Sequence, residues 1–403
     1  MDWHVVTTET CNLHCTYCLN NDFRQNSKRS WEIPDFQQLV DNAQTKGQVD
    51  SRANVDKNLI SNKYHLEDNC VLFYGGEPLL NMELMQQMMD DVKGIDHWTV
   101  TTNGTLLEMI PEIVLNRLDT ILVSIDGRPE TTNKMRGENT YQRALTGAKS
   151  LRKRGWSGDL VARMTVSQHS LIEEEIAHIL QLTDDKDEAL FDHVHWQLNA
   201  LWNPLPWDNF TDWVDEEYNI GVSNLFELFM GELRNGKIIG IAPFTGLITH
   251  LLDYEVTSLP AGLHCRSGLD AVAVFPNGDL TSCPTAPDLF SLGTIKNPID
   301  NLQNAYVGME GNCANCSALV HCGGRCLVAN RFLQEENDFS TVCTTIKHLI
   351  KCAQSNLPEI KKLIAEGVIE FPEIGARPLD EDGNLDLYTL RYPMFNNSIE
   401  VIP

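Results

Sequence analysis

The chain reads as an α/β protein: a partial (β/α)6 barrel of the TIM type, open on one side, followed by a smaller cysteine-rich module. Three observations lead there. Six short runs rich in β-branched and aromatic residues alternate with helical patterns through the first half of the 403 residues. Residues with unusual chemistry fall at or just after the ends of successive runs. The 12 cysteines are concentrated in two groups, one near the start and one beyond residue 260.

In chain order, the expected strands are 3–8 (WHVVTT), 70–75 (CVLFYG), 97–102 (HWTVTT), 120–126 (TILVSID), 160–166 (LVARMTV) and 193–199 (HVHWQLN). Helical patterns lie between them at 34–44, 82–92, 110–118, 140–155 and 171–182. Strands and helices in strict alternation build parallel βα units. No GxGxxG follows the first strand, so a dinucleotide-binding fold lacks its main support. Strand ends instead carry cysteines after the first strand, Gly75-Gly76-Glu77-Pro78 after the second, Asn103-Gly104 after the third and Asp126-Gly127 at the fourth. In a (β/α) barrel such ends open on one face, where active sites sit.

From about residue 205 the alternation stops. The expected organisation is a barrel over 1–204, a helical linker over 205–259, a cysteine-rich domain over 260–352, and a C-terminal helix and tail over 353–403. The third segment has too little apolar sequence for a core of its own, and Pro276-Asn277-Gly278-Asp279 marks a hairpin turn within it. There is no internal repeat or low-complexity tract.

Composition narrows the function. A formal charge of -25 repels phosphate backbones and anionic membrane surfaces, so neither nucleic acid nor membrane is an expected partner. No stretch reaches the roughly 20 apolar residues of a membrane span, and the N-terminus MDWHVVTTET lacks the basic and apolar regions of a signal peptide. A cytoplasmic location is expected, where abundant cysteine points to metal ligation over disulfides.

Cys11, Cys15 and Cys18 form CX3CX2C, with Tyr17 just before the last. Three thiolates can hold three corners of a cubane iron–sulfur cluster and leave one iron open, and an open metal position marks catalysis. A zinc knuckle needs a fourth ligand, which His14 is badly placed to provide. This motif resembles the cluster motif of radical S-adenosylmethionine (SAM) enzymes. The resemblance implies that Gly75, Gly76 and Glu77 receive the SAM amino group, the last through its carboxylate. It further implies that Asn103, Ser124 and Asp126, in segments TTNGT and SIDG, line the ribose and carboxylate, that Arg163 pairs with the carboxylate, and that Gln197 and Leu198 lie near the adenine.

The second group, Cys265, Gly278, Cys283, then Cys313, Cys316, Cys322 and Cys326 as CX2CX5CX3C, and finally Cys343, resembles the seven-cysteine SPASM signature. It is similar to that of the anaerobic sulfatase maturases. The resemblance implies two auxiliary clusters of the 4Fe-4S type: Cys313, Cys316, Cys322 and Cys343 complete one, while Cys265, Cys283 and Cys326 hold three corners of the other. The cysteine that precedes Cys265 in the maturases is missing here. An open iron that binds substrate, a non-cysteine ligand and a smaller cluster all remain as alternatives. Cys70 and Cys352 are expected in packing. Pro284 stands where the maturases place an aspartate as proton acceptor, a departure that speaks against oxidation of serine or cysteine to formylglycine and leaves the general base unassigned.

The implied activity is reductive cleavage of SAM to a 5'-deoxyadenosyl radical that abstracts hydrogen from a peptide or protein, under anaerobic conditions, with a reducing electron donor such as ferredoxin or flavodoxin. No leader-recognition domain is expected before Cys11, so the substrate would be gripped by C-terminal elements, a separate protein or the barrel mouth. The alternatives are radical oxidation or rearrangement of a small molecule such as a tetrapyrrole, and a non-enzymatic iron–sulfur electron-transfer protein.

Overall fold

In the computed structural model, the described residues are 1–18, 27–45, 69–168, 170–199, 208–257, 265, 267, 271–285, 290–299, 302, 309–332 and 340–370. The acidic tail beyond residue 370 lies outside them.

The six runs read from the sequence are the six parallel strands β1 (Asp2–Thr8), β2 (Cys70–Gly75), β3 (His97–Thr102), β4 (Thr120–Ser124), β5 (Asp159–Val166) and β6 (His193–Leu198). They stand side by side in chain order, as short right-handed crossovers require. The helices between them are α1 (Ile33–Thr45), α2 (Met82–Asp91), α3 (Glu112–Leu115), α4 (Pro129–Arg136), α5 (Thr140–Lys153) and α6 (Ile172–Leu180). Of these, α4 was not expected. Its sequence PETTNKMR carries no apolar stripe, and it buries Thr131, Thr132, Met135 and Arg136 instead.

Alternation along each strand sorts the side chains. Val5, Phe73, Val100, Ile121, Ala162, Met164 and Trp196 face outward into the main core beneath the helices. A typical contributor is α2, which buries Leu84, Met85, Met88 and Met89, spaced as one face of a helix. Asn81 caps α2 by accepting from the Leu84 amide at 3.4 Å. The inward face is different. The register sets His4 beside Leu72, Thr101 beside Leu122, Leu122 beside Val161, Ser124 beside Arg163 and Arg163 beside His195. Leu72, Leu122 and Val161 form a small apolar plug with Ala242, and the positions nearer the strand ends are polar. A polar interior above an apolar plug is a cavity with a floor.

The sheet extends beyond these six strands on the free side of β1. Helices α7 (Phe210–Trp213), α8 (Asn219–Arg234) and α9 (Ala242–Thr257) return the chain across the open side. Trp196, Phe226, Phe229 and Phe244 pack with ring centroids 4.8 to 6.0 Å apart, tying β6 to α8 and α9; such pairs contribute about 0.5–1.5 kcal/mol each beyond burial. The Val194 amide donates to the Gly240 carbonyl at 2.7 Å, which covers the edge of β6. Strand β7 (Ala271–Val274) then pairs in parallel with β1, and β8 (Asp279–Thr281), β9 (Ser291–Thr294) and β10 (Asn297–Pro298) continue antiparallel. One ten-stranded sheet results, in the order β10-β9-β8-β7-β1-β2-β3-β4-β5-β6. The cysteine-rich region follows with α10 (Gly311–Ala314), α11 (Leu319–Cys322), α12 (Leu327–Phe332) and the long α13 (Ser340–Ala365). The expected C-terminal helix thus begins earlier, before Cys343, and runs across residue 352.

Candidate active site

The first cysteines occupy the loop that leaves the C-terminal end of β1. The second strand end holds that loop. The Gly76 amide donates to the Thr8 carbonyl and the Glu77 amide to the Thr10 carbonyl, each at 2.8 Å, so the chain just before Cys11 is stitched to the glycine turn. Only glycine permits the approach. Gly75 has φ +133°, and a Cβ at Gly76 would lie 2.3 Å from the Thr10 carbonyl oxygen. Within the loop, the Leu13 amide donates to Cys11 Sγ at 3.4 Å and Asn103 Nδ2 approaches the same sulfur at 3.8 Å. Asn103 Nδ2 also donates to Asn12 Oδ1 at 2.7 Å.

Glu77 stands behind the cavity wall. Its carboxylate does not border the cavity; it is wholly buried and accepts from Thr102 Oγ1 at 2.7 Å, the Asn103 amide at 2.7 Å and the Leu79 amide at 3.0 Å. It binds the end of β3 to the glycine turn and thereby aims Asn103 at the cysteine loop. Burial pushes its carboxyl up to about 7 despite those three donors. Asp126 stands behind the wall in the same way. It too is wholly buried and away from the cavity, gripped by Arg136 at 2.9 and 2.8 Å, the Thr165 amide at 2.8 Å and the Tyr17 hydroxyl. Both residues shape the site from behind.

A cavity of about 290 Å³ opens above the apolar plug. Cys11, Cys15 and Cys18 border it, and so do Cys265, Cys283 and Cys326. Tyr17, Gly75, Gly76, Asn103, Ser124, Arg163, Gln197 and Leu198, all singled out from the sequence, line it too. Arg163 is held by Gln197 Oε1 at 2.6 Å and His195 Nδ1 at 3.2 Å. Sequence reasoning missed His4, Tyr74, Arg136 and Arg325, which also line the cavity. His4 and Tyr74 were legible only as strand residues, because their inward orientation follows from register. Burial and the Arg163 charge lower His4 to about 4, so its imidazole is neutral, and burial raises the Tyr74 phenol to about 12. Pro284 borders the cavity, and among the described residues its lining includes no aspartate or glutamate.

Four of the six remaining cysteines form a separate group. Cys313, Cys316, Cys322 and Cys343 are its members: burial first, and then the neighbouring cysteines of the group, raise the thiols of Cys313, Cys322 and Cys343. Cys322 is pushed up to about 11. Only three residues separate Cys322 from Cys326, yet they belong to different groups. The chain between them turns through three successive left-handed residues, Gly323, Gly324 and Arg325, with φ of 65, 88 and 58°, which swings Cys326 to the cavity. Cys352 lies apart from both groups, 3.6 Å from His348 Nε2 on the same helix, while Cys70 is buried at the start of β2.

The donor chemistry suits iron–sulfur ligation. Burial raises Cys15 to about 11, and the neighbouring Cys18, Asp126 and Cys11 add to the rise while Arg136 opposes it. Thiols so placed ionise together only when a cationic centre is bound to them. Among the described residues no three side chains of His, Cys, Asp or Glu converge tightly enough for a single metal ion; the thiols border a cavity instead.

Residues 5–183 match the radical SAM superfamily. The chain is 21% identical over 343 residues to the radical SAM cyclopropyl synthase TigE of Paramaledivibacter caminithermalis, covering 81% of this chain and 67% of the relative. It is 21% identical over 393 residues to a cysteine-type anaerobic sulfatase-maturating enzyme of Clostridium novyi, covering 89% and 96%. Among solved structures, native anSMEcpe with bound AdoMet and Cp18Cys peptide superposes with a TM-score of 0.64 at 18% identity, over 90% of this chain and 99% of that one; at that identity the likeness is one of fold. Residues 5–183, which carry the cysteine loop, the glycine turn and the first parallel strands, form a radical SAM domain, and the chain is an enzyme similar to the anaerobic sulfatase-maturating enzymes.

Proposed function

We propose that the enzyme modifies a carbon of a peptide or protein, with SAM and three iron–sulfur clusters. Cys11, Cys15 and Cys18 hold the first 4Fe-4S cluster. SAM is held by the backbone of Gly75 and Gly76, by Arg163 at its carboxylate, and by Asn103, Ser124, Gln197 and Leu198 along its length, with Tyr17 bordering the cluster loop. Cys313, Cys316, Cys322 and Cys343 hold one auxiliary cluster, and Cys265, Cys283 and Cys326 hold three corners of the other. When bound, the reduced cluster and SAM supply a 5'-deoxyadenosyl radical, the hydrogen-abstracting agent. The polypeptide's part is to seat the substrate carbon between the two thiol triads, keep water out and hold the reacting groups in register.

The observation that carries this reading is that both triads, Cys11, Cys15, Cys18 and Cys265, Cys283, Cys326, open on one cavity. The relatedness to a sulfatase-maturating enzyme over 89% of the chain favours a polypeptide substrate, as does the peptide present in the similar anSMEcpe structure. A low-potential protein such as ferredoxin or flavodoxin supplies the electron.

The test is anaerobic reconstitution with iron, sulfide, SAM and dithionite. Release of 5'-deoxyadenosine is expected, and its loss when Cys11, Cys15 and Cys18 are replaced by alanine, with the auxiliary iron retained. Deuterium-labelled peptides should pass deuterium to 5'-deoxyadenosine. Transfer from a small metabolite and from no peptide would overturn the polypeptide reading, and an iron content near that of one cluster would overturn the auxiliary assignment.

A further inference from the structure

Arg136 is a buried cation on a helix that the sequence pattern does not announce. It ends α4 at 6% exposure, borders the cavity and grips both oxygens of the wholly buried Asp126 through Nε at 2.9 Å and Nη2 at 2.8 Å. Its guanidinium lies over the Tyr17 ring, 5.4 Å from the centroid, and the Tyr17 hydroxyl donates to the same carboxylate. The residue before it joins in: the Met135 carbonyl accepts from the Thr16 amide at 2.9 Å. Residues 16 and 17 of the cysteine loop are therefore fastened to α4 from two directions. Asp126 is fastened in turn to β5 through the Thr165 amide at 2.8 Å. A bidentate guanidinium–carboxylate pair fixes orientation as well as distance. The pair thus touches the loop directly between Cys15 and Cys18, through residues 16 and 17.

We propose that the Arg136–Asp126 pair is the positioning device of the first cysteine loop and sets the electrostatic potential at the cluster the loop holds. This rests on the proposed ligation by Cys11, Cys15 and Cys18. Two charges of opposite sign in one low-dielectric place make the potential tunable from either side. Removing the carboxylate leaves the guanidinium's field and favours the reduced cluster; removing the guanidinium does the reverse.

The experiment is an EPR-monitored redox titration of the reconstituted full chain, following the signal that changes when SAM is added. Asp126→Asn should shift the reduction equilibrium about tenfold toward the reduced form, about 59 mV for one electron. Arg136→Gln should shift it in the opposite direction, and the double variant should return near the parent. Arg136→Lys keeps the charge without the fork, so it should hold the potential while lowering cluster occupancy. If Arg136→Gln does not fold, Asp126→Asn and Arg136→Lys decide the matter. Shifts of the same sign or no shift in Asp126→Asn would overturn the electrostatic role, and full cluster occupancy in both Arg136→Lys and Asp126→Asn would overturn the positioning role. Persistence of the SAM-sensitive signal after replacement of Cys11, Cys15 and Cys18 would instead overturn the underlying ligand assignment.

Discussion

Glu77 shows how a carboxylate at a glycine turn can be satisfied entirely by the protein's own donors. A carboxylate after two glycines suits an ammonium group, yet here each oxygen is taken by donors of the protein, and the side chain is wholly buried. Its folded pKa of about 7, against an ordinary value of 4.5, means the folded state holds the proton more tightly than the unfolded one. Stability from this group is fully present below pH 4.5 and lost as pH rises through about 7, by about 3 kcal/mol in total. Urea denaturation at pH 5 and pH 8 should show that decline, and Glu77→Gln should flatten it. His4 has the opposite sign. Lowered to about 4, it contributes stability above pH 6.5 that is lost as pH falls toward 4. Histidine-selective NMR should find one imidazole that stays neutral well below pH 6. It is also a neutral, proton-accepting group bordering a cavity that lacks carboxylates among its described lining residues.

At the scale of elements, two glycine turns decide where sulfur goes. The Gly75-Gly76 turn draws the chain before Cys11 to within 2.8 Å hydrogen bonds. Gly76→Val should displace that loop and lower first-cluster iron while leaving auxiliary iron unchanged, a difference read by metal analysis and EPR. The Gly323-Gly324-Arg325 turn divides Cys322 from Cys326, and a Cβ at Gly324 would lie 2.5 Å from Met309 sulfur at φ +88°. Gly324→Val should therefore reverse the pattern, with auxiliary iron lost and SAM cleavage retained. Helix α4 is the element the sequence concealed. A helix whose buried face is threonine, methionine and arginine has no apolar periodicity, so its role in clamping the cysteine loop rests on ion pairing ten residues apart, which no periodicity reveals.

Across the whole molecule, the sheet joins what composition divides. Strand β7 pairs with β1 from Asp2 to Val5, and Val272 and Val274 are part of the same core as Trp3 and Val5. A fragment ending at residue 204 would expose one edge of β1 and strip the apolar cover that α8 and α9 give β6. It should show no cooperative urea transition and should precipitate on concentration, whereas the full chain should unfold with its barrel and the β7–β10 segment together. Calorimetry or fluorescence-detected unfolding of both would check this.

The sequence by itself determined the six parallel strands, the face on which they end and the identity of the two cysteine groups. Those features rest on local pattern: alternation of apolar residues, turn chemistry at strand ends and cysteine spacing. Tertiary structure alone decided that Glu77 and Asp126 turn away from the cavity while His4, Tyr74 and Arg136 face or border it, and that Cys322 and Cys326 part company. The physical reason is the same in each case. Orientation within a barrel is set by register between strands far apart in the chain, and a buried charge goes where its partner is.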